Sequence, residues 1–285
     1  MKNKLFAILL IAQVIMLSSI SAFGQDGEEE TDKTLVRAPF STSVLMNTQT
    51  MVLPAAKGLE FHIQHRFGTV KKGYDDLFGI FAPSNIRLGL TYGVTDRVSL
   101  GWGITKAYML NDFNVKVAIL QQTRSNSMPI FLTYYGNVTL DTRKSTDITK
   151  FTQRFSYLNQ IIFGRKINRL LSLEGNVAFS HFNIIDTIGN PDLGHGNLSA
   201  GISGKMKISS KISGIFEYDY QITSALANQQ KSNLGLGIEI ATATHSFEIF
   251  LGTSDAISQQ RDMVYGVNDF TKGALLFGFN ITKTW

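Results

Sequence analysis

The chain has 285 residues, of which 44% are hydrophobic and only 17% charged, with 25 glycines and no cysteine. This composition excludes a disulfide framework, a thiolate metal site and lipid attachment through an N-terminal cysteine, and the length allows one large domain. The formal charge of +5 comes without a basic block, so no nucleic-acid partner is expected.

Lys2 and Lys4 precede an apolar run from Leu5 to Leu17, then Ser18-Ser19 and the small-residue site Ala22-Phe23-Gly24. This is the pattern of a secretory signal peptide over residues 1–24, cleaved before Gln25. The run is short for a bilayer span. Residues 25–57 read as an N-terminal periplasmic segment, disordered at its acidic start, Glu28-Glu29-Glu30. Further on, Phe40, Thr42, Val44 and Met46 alternate as in a strand before Pro54 interrupts. That stretch can pair with the strands of residues 58–285, plug the space they enclose or lie below it.

Residues 58–285 carry the main pattern. In Asn85–Val94 large apolar residues fall on even positions and small or polar ones on odd positions; Thr95-Asp96 make a turn, and the alternation restarts with Val98, Leu100, Trp102 and Ile104. Two such strands form a hairpin with an apolar outer face and an inner face of glycines and hydroxyls. The same alternation predicts twelve strands: 59–67, 85–94, 98–106, 113–121, 129–140, 154–165, 171–182, 197–208, 212–222, 234–240, 245–252 and 274–285. Their connections alternate between short and long. The expected fold is all-β, a single antiparallel transmembrane β-barrel with short periplasmic turns and long extracellular loops.

Several stretches resemble one family, a Bacteroidetes-type outer-membrane β-barrel family defined only as a domain of unknown function. They are Phe61-His62-Ile63-Gln64-His65-Arg66-Phe67-Gly68, Leu77-Phe78-Gly79, Asn85 through Asp96, and Phe277-Gly278-Phe279-Asn280-Ile281. The resemblance implies the barrel but carries over no catalytic or ligand residue. One departure is Thr244-His245, where the family has glycine before histidine. The chain's end, with Leu275, Phe277, Phe279, Ile281 and Trp285 alternating, resembles an outer-membrane insertion signal. The expected partners are therefore outer-membrane lipid and, during insertion, the barrel-assembly machinery.

His62 and His65 lie three apart on a strand and point to opposite faces, so they cannot share a metal. His181, His195 and His245 have no partner at ligand spacing, and no Gly-x-Ser-x-Gly elbow occurs. Neither a cofactor nor an enzyme activity is expected. What remains is a set of charges sharing parity with the polar face: Glu60, Arg66, Arg87, Lys116, Arg154, Glu174, Lys205, Glu217, Asp219, Glu239 and Glu248. The basic members crowd the first six strands and the acidic members the last six. Facing one another across a bore, they would either select solutes or pair and fill it. The reading is a passive channel or transporter for small polar solutes; the alternative is a closed barrel with a structural, adhesive or envelope-assembly role through its loops.

Overall fold

Alternation along the chain becomes one continuous wall. The computed structural model describes residues 32–185, 194–223 and 230–285; the expected signal peptide, the acidic run and parts of two long connections lie outside them. A small hairpin comes first, β1 (Val44–Leu45) and β2 (Thr48–Gln49). The wall then runs β3 (Leu59–Thr69), β4 (Asn85–Thr95), β5 (Val98–Thr105), β6 (Leu110–Leu120), β7 (Phe131–Asp141), β8 (Phe155–Lys166) and β9 (Leu171–Phe182). It continues with β10 (Gly196–Lys207), β11 (Ile212–Gln221), β12 (Asn233–Ala241), β13 (His245–Gly252) and β14 (Leu276–Thr284). Each wall strand pairs with its sequence neighbour, and β14 closes antiparallel on β3, with Ile281 opposite Ile63. Closure leaves no strand edge unpaired.

The two faces divide as the alternation requires. Glu60, His62, Gln64 and Arg66 of β3 are buried, whereas Leu100, Trp102, Phe113, Phe179, Leu236, Ile249 and Phe277 are exposed. An apolar belt outside and polar groups inside is the arrangement a barrel adopts in lipid.

Three expectations are corrected by the wall's interior. First, β6 begins at Leu110, not Phe113, so Asp112 belongs to the wall and not to a loop. Second, Arg154 closes a short 3-10 turn, Phe151–Arg154, before β8 and is not on a strand; its Nη1 donates to the carbonyls of Asp141 and Arg143 at 2.8 and 2.9 Å. Third, the inner face is not uniformly polar, because Tyr135, Leu158, Ile162, Ile215 and Phe250 also point inward and are buried.

Those apolar residues meet a stretch whose placement the sequence left open. Of pairing with the wall, plugging it or lying below it, residues 40–52 do the second and sit inside the bore. Thr34 and Leu35 touch the rim at Arg124 and Thr123, the chain then enters, and it leaves through Lys57, whose N–H donates to Gly93. Phe40, Leu45, Met46 and Met51 pack with the inward apolar residues in one cluster. Eight-stranded barrels are filled by their own side chains and sixteen-stranded ones hold water; twelve strands leave a gap that an inserted hairpin fills. From the opposite end the loop between β13 and β14 folds inward as well. It carries one helical turn, α1 (Gln259–Asp262), and Met263 joins the same cluster.

Candidate functional site

Strands two residues long cannot satisfy the backbone of a buried hairpin, and an unpartnered peptide group away from water is costly. The charged side chains of the wall supply the partners. Carboxylates accept from the hairpin's N–H groups: Glu60 from Ser43 (3.2 Å), Glu248 from Met46 (2.9 Å), Glu217 from Asn47 and Thr48 (3.0 and 3.2 Å) and Glu174 from Met51 (3.0 Å). Cations donate to its carbonyls. Lys116 Nζ reaches Ser43, Thr50 and Val52 at 2.8, 2.9 and 3.3 Å, and Arg66 reaches Met46 at 3.0 Å and the Asn47 side chain at 2.7 Å. Such charge-assisted bonds are the stronger kind.

Six of the eleven charged residues singled out in the sequence thus hold the peptide groups of one segment, and a seventh, Lys205, which forms an ion pair with Glu239, donates to its Ser41 Oγ at 2.6 Å. The remaining members fall elsewhere. Arg87 is held by Asp112 through two bonds of 2.8 and 2.7 Å, entirely within the wall. Its guanidinium lies over Gly89 and Gly103, where a Cβ would overlap it, so glycine at those positions makes room for the ion pair. Asp219 shares the row of Gly201 and Asn176 and leaves Oδ2 without a partner. Arg154 stands at the loop end. Sequence reasoning missed Asp112, and it missed Asp262, which a loop carries into the bore. Ser254 Oγ donates to that carboxylate and Asn233 Nδ2 does so at 3.1 Å, while burial and the nearby Asp219 and Glu217 raise its pKa well above the carboxylate range.

His62 and His65 do point to opposite faces: His62 is buried inside and His65 stacks outside on Phe279, with ring centroids 5.0 Å apart. Ser43, His62 and Glu60 meet, with Ser43 Oγ and Glu60 Oε2 both facing His62 Nε2 at 3.5 and 3.3 Å. In a hydrolytic triad the serine and the carboxylate occupy different ring nitrogens. Here Nδ1 instead faces Thr282 Oγ1 at 3.1 Å, and the trio is a hydrogen-bonded knot that fixes the hairpin.

The profile of the family described as "Membrane bound beta barrel domain (DUF5777)" matches residues 40–285, hairpin included. The chain belongs to this family. Membership makes the wall of this membrane bound beta barrel domain, with its closed twelve-strand topology, a membrane-spanning one. No curated protein matches the sequence. Among solved structures the chain is similar to the NanC porin (10% identity, TM-score 0.48, covering 79% of this chain and 97% of that one) and the KdgM porin (6%, 0.47, 79% and 98%). It is also similar to the outer membrane protein Omp33 of Acinetobacter baumannii (12%, 0.42, 80% and 98%). At such identities and scores no functional residue is carried over.

Proposed function

We propose that this protein is an outer-membrane channel for small polar solutes, closed in the state described, with residues 40–52 as its gate. One observation carries this reading: the bore is filled by a separable segment held through charges of both signs, Glu60, Glu174, Glu217, Glu248, Lys116 and Arg66, on its peptide groups. A permanently sealed barrel has no need of buried charges, because apolar side chains of similar volume are often as stabilising or more so. With the hairpin withdrawn, the same residues would line a polar passage. Export through the signal peptide and insertion through the C-terminal strand by the assembly machinery belong to this reading.

The alternative, a closed barrel acting through its extracellular loops, is favoured by the second insertion, since Gln260 Nε2 bonds Asn137 and Thr139 across the loop end at 2.6 and 2.9 Å. Planar-bilayer recording separates the two. The full chain should rest silent with brief openings, and a variant lacking residues 40–52 should conduct steadily. If both are silent while both show the faster gel mobility of a folded barrel before boiling, the closed-barrel role stands instead.

A further inference from the structure

The loop end of the barrel holds a cavity of about 330 Å³ with no role in the gate. Five pieces of chain frame it: the start of β6, the loop 141–153, the start of β8, the end of β9 and the infolded loop with α1. They are tied together. Thr142 N and Oγ1 donate to Met109 O at 3.3 and 2.5 Å, Asn183 Nδ2 donates to Thr152 O at 2.7 Å, and Phe182 packs edge-on against Tyr265 at 5.3 Å. The frame is also strained, since Tyr108 and Met109 take left-handed φ values of 61° and 49°, which side-chain-bearing residues adopt sparsely and which collect at binding sites.

That strain places the Tyr108 ring between two guanidiniums, Arg261 at 3.7 Å and Arg143 at 4.4 Å, and Arg261 also lies 4.6 Å from Tyr265. The cavity's three arginines differ in what they hold. Arg154 is engaged by carbonyls, and Arg143 pairs with Asp141 at 2.9 Å. Arg261 stacks on rings, and among the described residues no group accepts a hydrogen bond from its guanidinium. Stacked faces with free N–H edges are how arginine presents its fork to a planar anion. Polar and apolar groups share the wall around it, and Ile148, Phe155 and Phe182 form its apolar part. Asp147, at the exposed rim, is the one carboxylate lining the cavity that has no cationic partner among the described residues.

We propose that this cavity binds a small organic anion, its single carboxylate on Arg261 and its apolar body against the aromatic and aliphatic wall. The volume lies at the lower end of ligand pockets, which fits one ring and its headgroup. The site does not depend on whether the bore opens.

Calorimetric titration of the detergent-solubilised full chain tests this with benzoate as the whole ligand, inorganic phosphate as a bare headgroup and benzyl alcohol as a bare body. Benzoate should bind saturably, and each fragment at least about tenfold more weakly. Arg261→Gln should weaken benzoate about tenfold or more, with Arg261→Lys intermediate, because it keeps the charge and loses the fork. Asp147→Asn, at an exposed position that is safe for folding, should tighten benzoate about twofold by removing a repulsion. The proposal is overturned by an absence of saturable benzoate binding, by phosphate or benzyl alcohol binding as tightly as benzoate, by Arg261→Gln binding as the natural chain does, or by Asp147→Asn failing to tighten. Should Arg261→Gln lose the heat-modifiable gel band of the folded barrel, Asp147→Asn and the fragment series decide alone.

Discussion

Two segments fill the same barrel from opposite ends and are held there by different chemistry. The hairpin of residues 40–52 is gripped by acidic and basic side chains of the wall on its peptide groups, as with Lys116 on Ser43 and Thr50. The loop carrying α1 is held inside the bore by amide contacts, Gln260 on Asn137 and Asn233 on the Asp262 carbonyl, beside one ion pair of Asp269 with Lys231, and brings with it a carboxyl that burial disfavours as an anion. The first attachment answers to removal of those side chains, the second to loss of a few amide contacts and to the protonation of Asp262. A barrel so arranged has two insertions, or closures, that can be loosened independently, and in the proposed reading only the hairpin seals the bore.

The largest expected effect separates the closures outright: deleting residues 40–52 turns a silent protein into a steadily conducting one, whereas undocking the loop alone leaves it silent. Recording both variants checks this. Next in size is the ion pair that touches neither insertion directly. Asp112→Asn strands the buried Arg87 guanidinium and should cost about 3–5 kcal/mol in urea unfolding from lipid, without opening the bore. Conductance in that variant would mean that the wall, and not the hairpin, sets closure.

On the outside, Leu90→Arg should cost roughly 2–4 kcal/mol in the same assay if Leu90 lies near the midplane, and should leave both closures in place. The smallest effect is the response of the loop to pH. Asp262 has a raised pKa when docked, so the docked loop retains a proton that the released loop gives up. Docking is fully supported below about pH 4, near the ordinary carboxylate value, and that support is lost as pH rises through the docked-state value. A cysteine placed at Val264, buried in the docked loop and unique in a chain without others, should react faster with a maleimide at high pH after correction for its own ionisation. An unchanged rate would remove Asp262 as the cause.

The wall was legible because period two repeats over twelve strands and most inward positions are small or polar next to an apolar outward one, as in Asn85–Val94. Legibility failed where that contrast fades. In β8, Leu158, Ile161, Ile162 and Phe163 put apolar residues on both faces, so the two that meet the hairpin could not be told from the two that meet lipid. Asn111-Asp112 ahead of Phe113 read as loop, although the polar pair continues the strand. Two-residue strands such as β1 and β2 are too short to show a period. The charged set was visible as a set, but its purpose was not, since partners such as Glu248 and Met46 are joined only by the closed fold.

That closure also orders assembly in time. Met46 N–H bonds Glu248, 202 positions later, and Asn280 donates to Met46 O across 234 positions. The hairpin is made before every strand of the wall, yet its receptor does not exist until β13 and β14 arrive, and β3 itself waits for β14 as its second neighbour. Contacts this distant along the chain are slow to form. Until they do, Phe40, Leu45, Met46 and Met51 have no apolar shelter, so a segment made before the whole wall is the last to mature. Hydrogen-exchange protection of the Met46 amide would therefore mark the completed barrel and appear only after the strand amides are already protected.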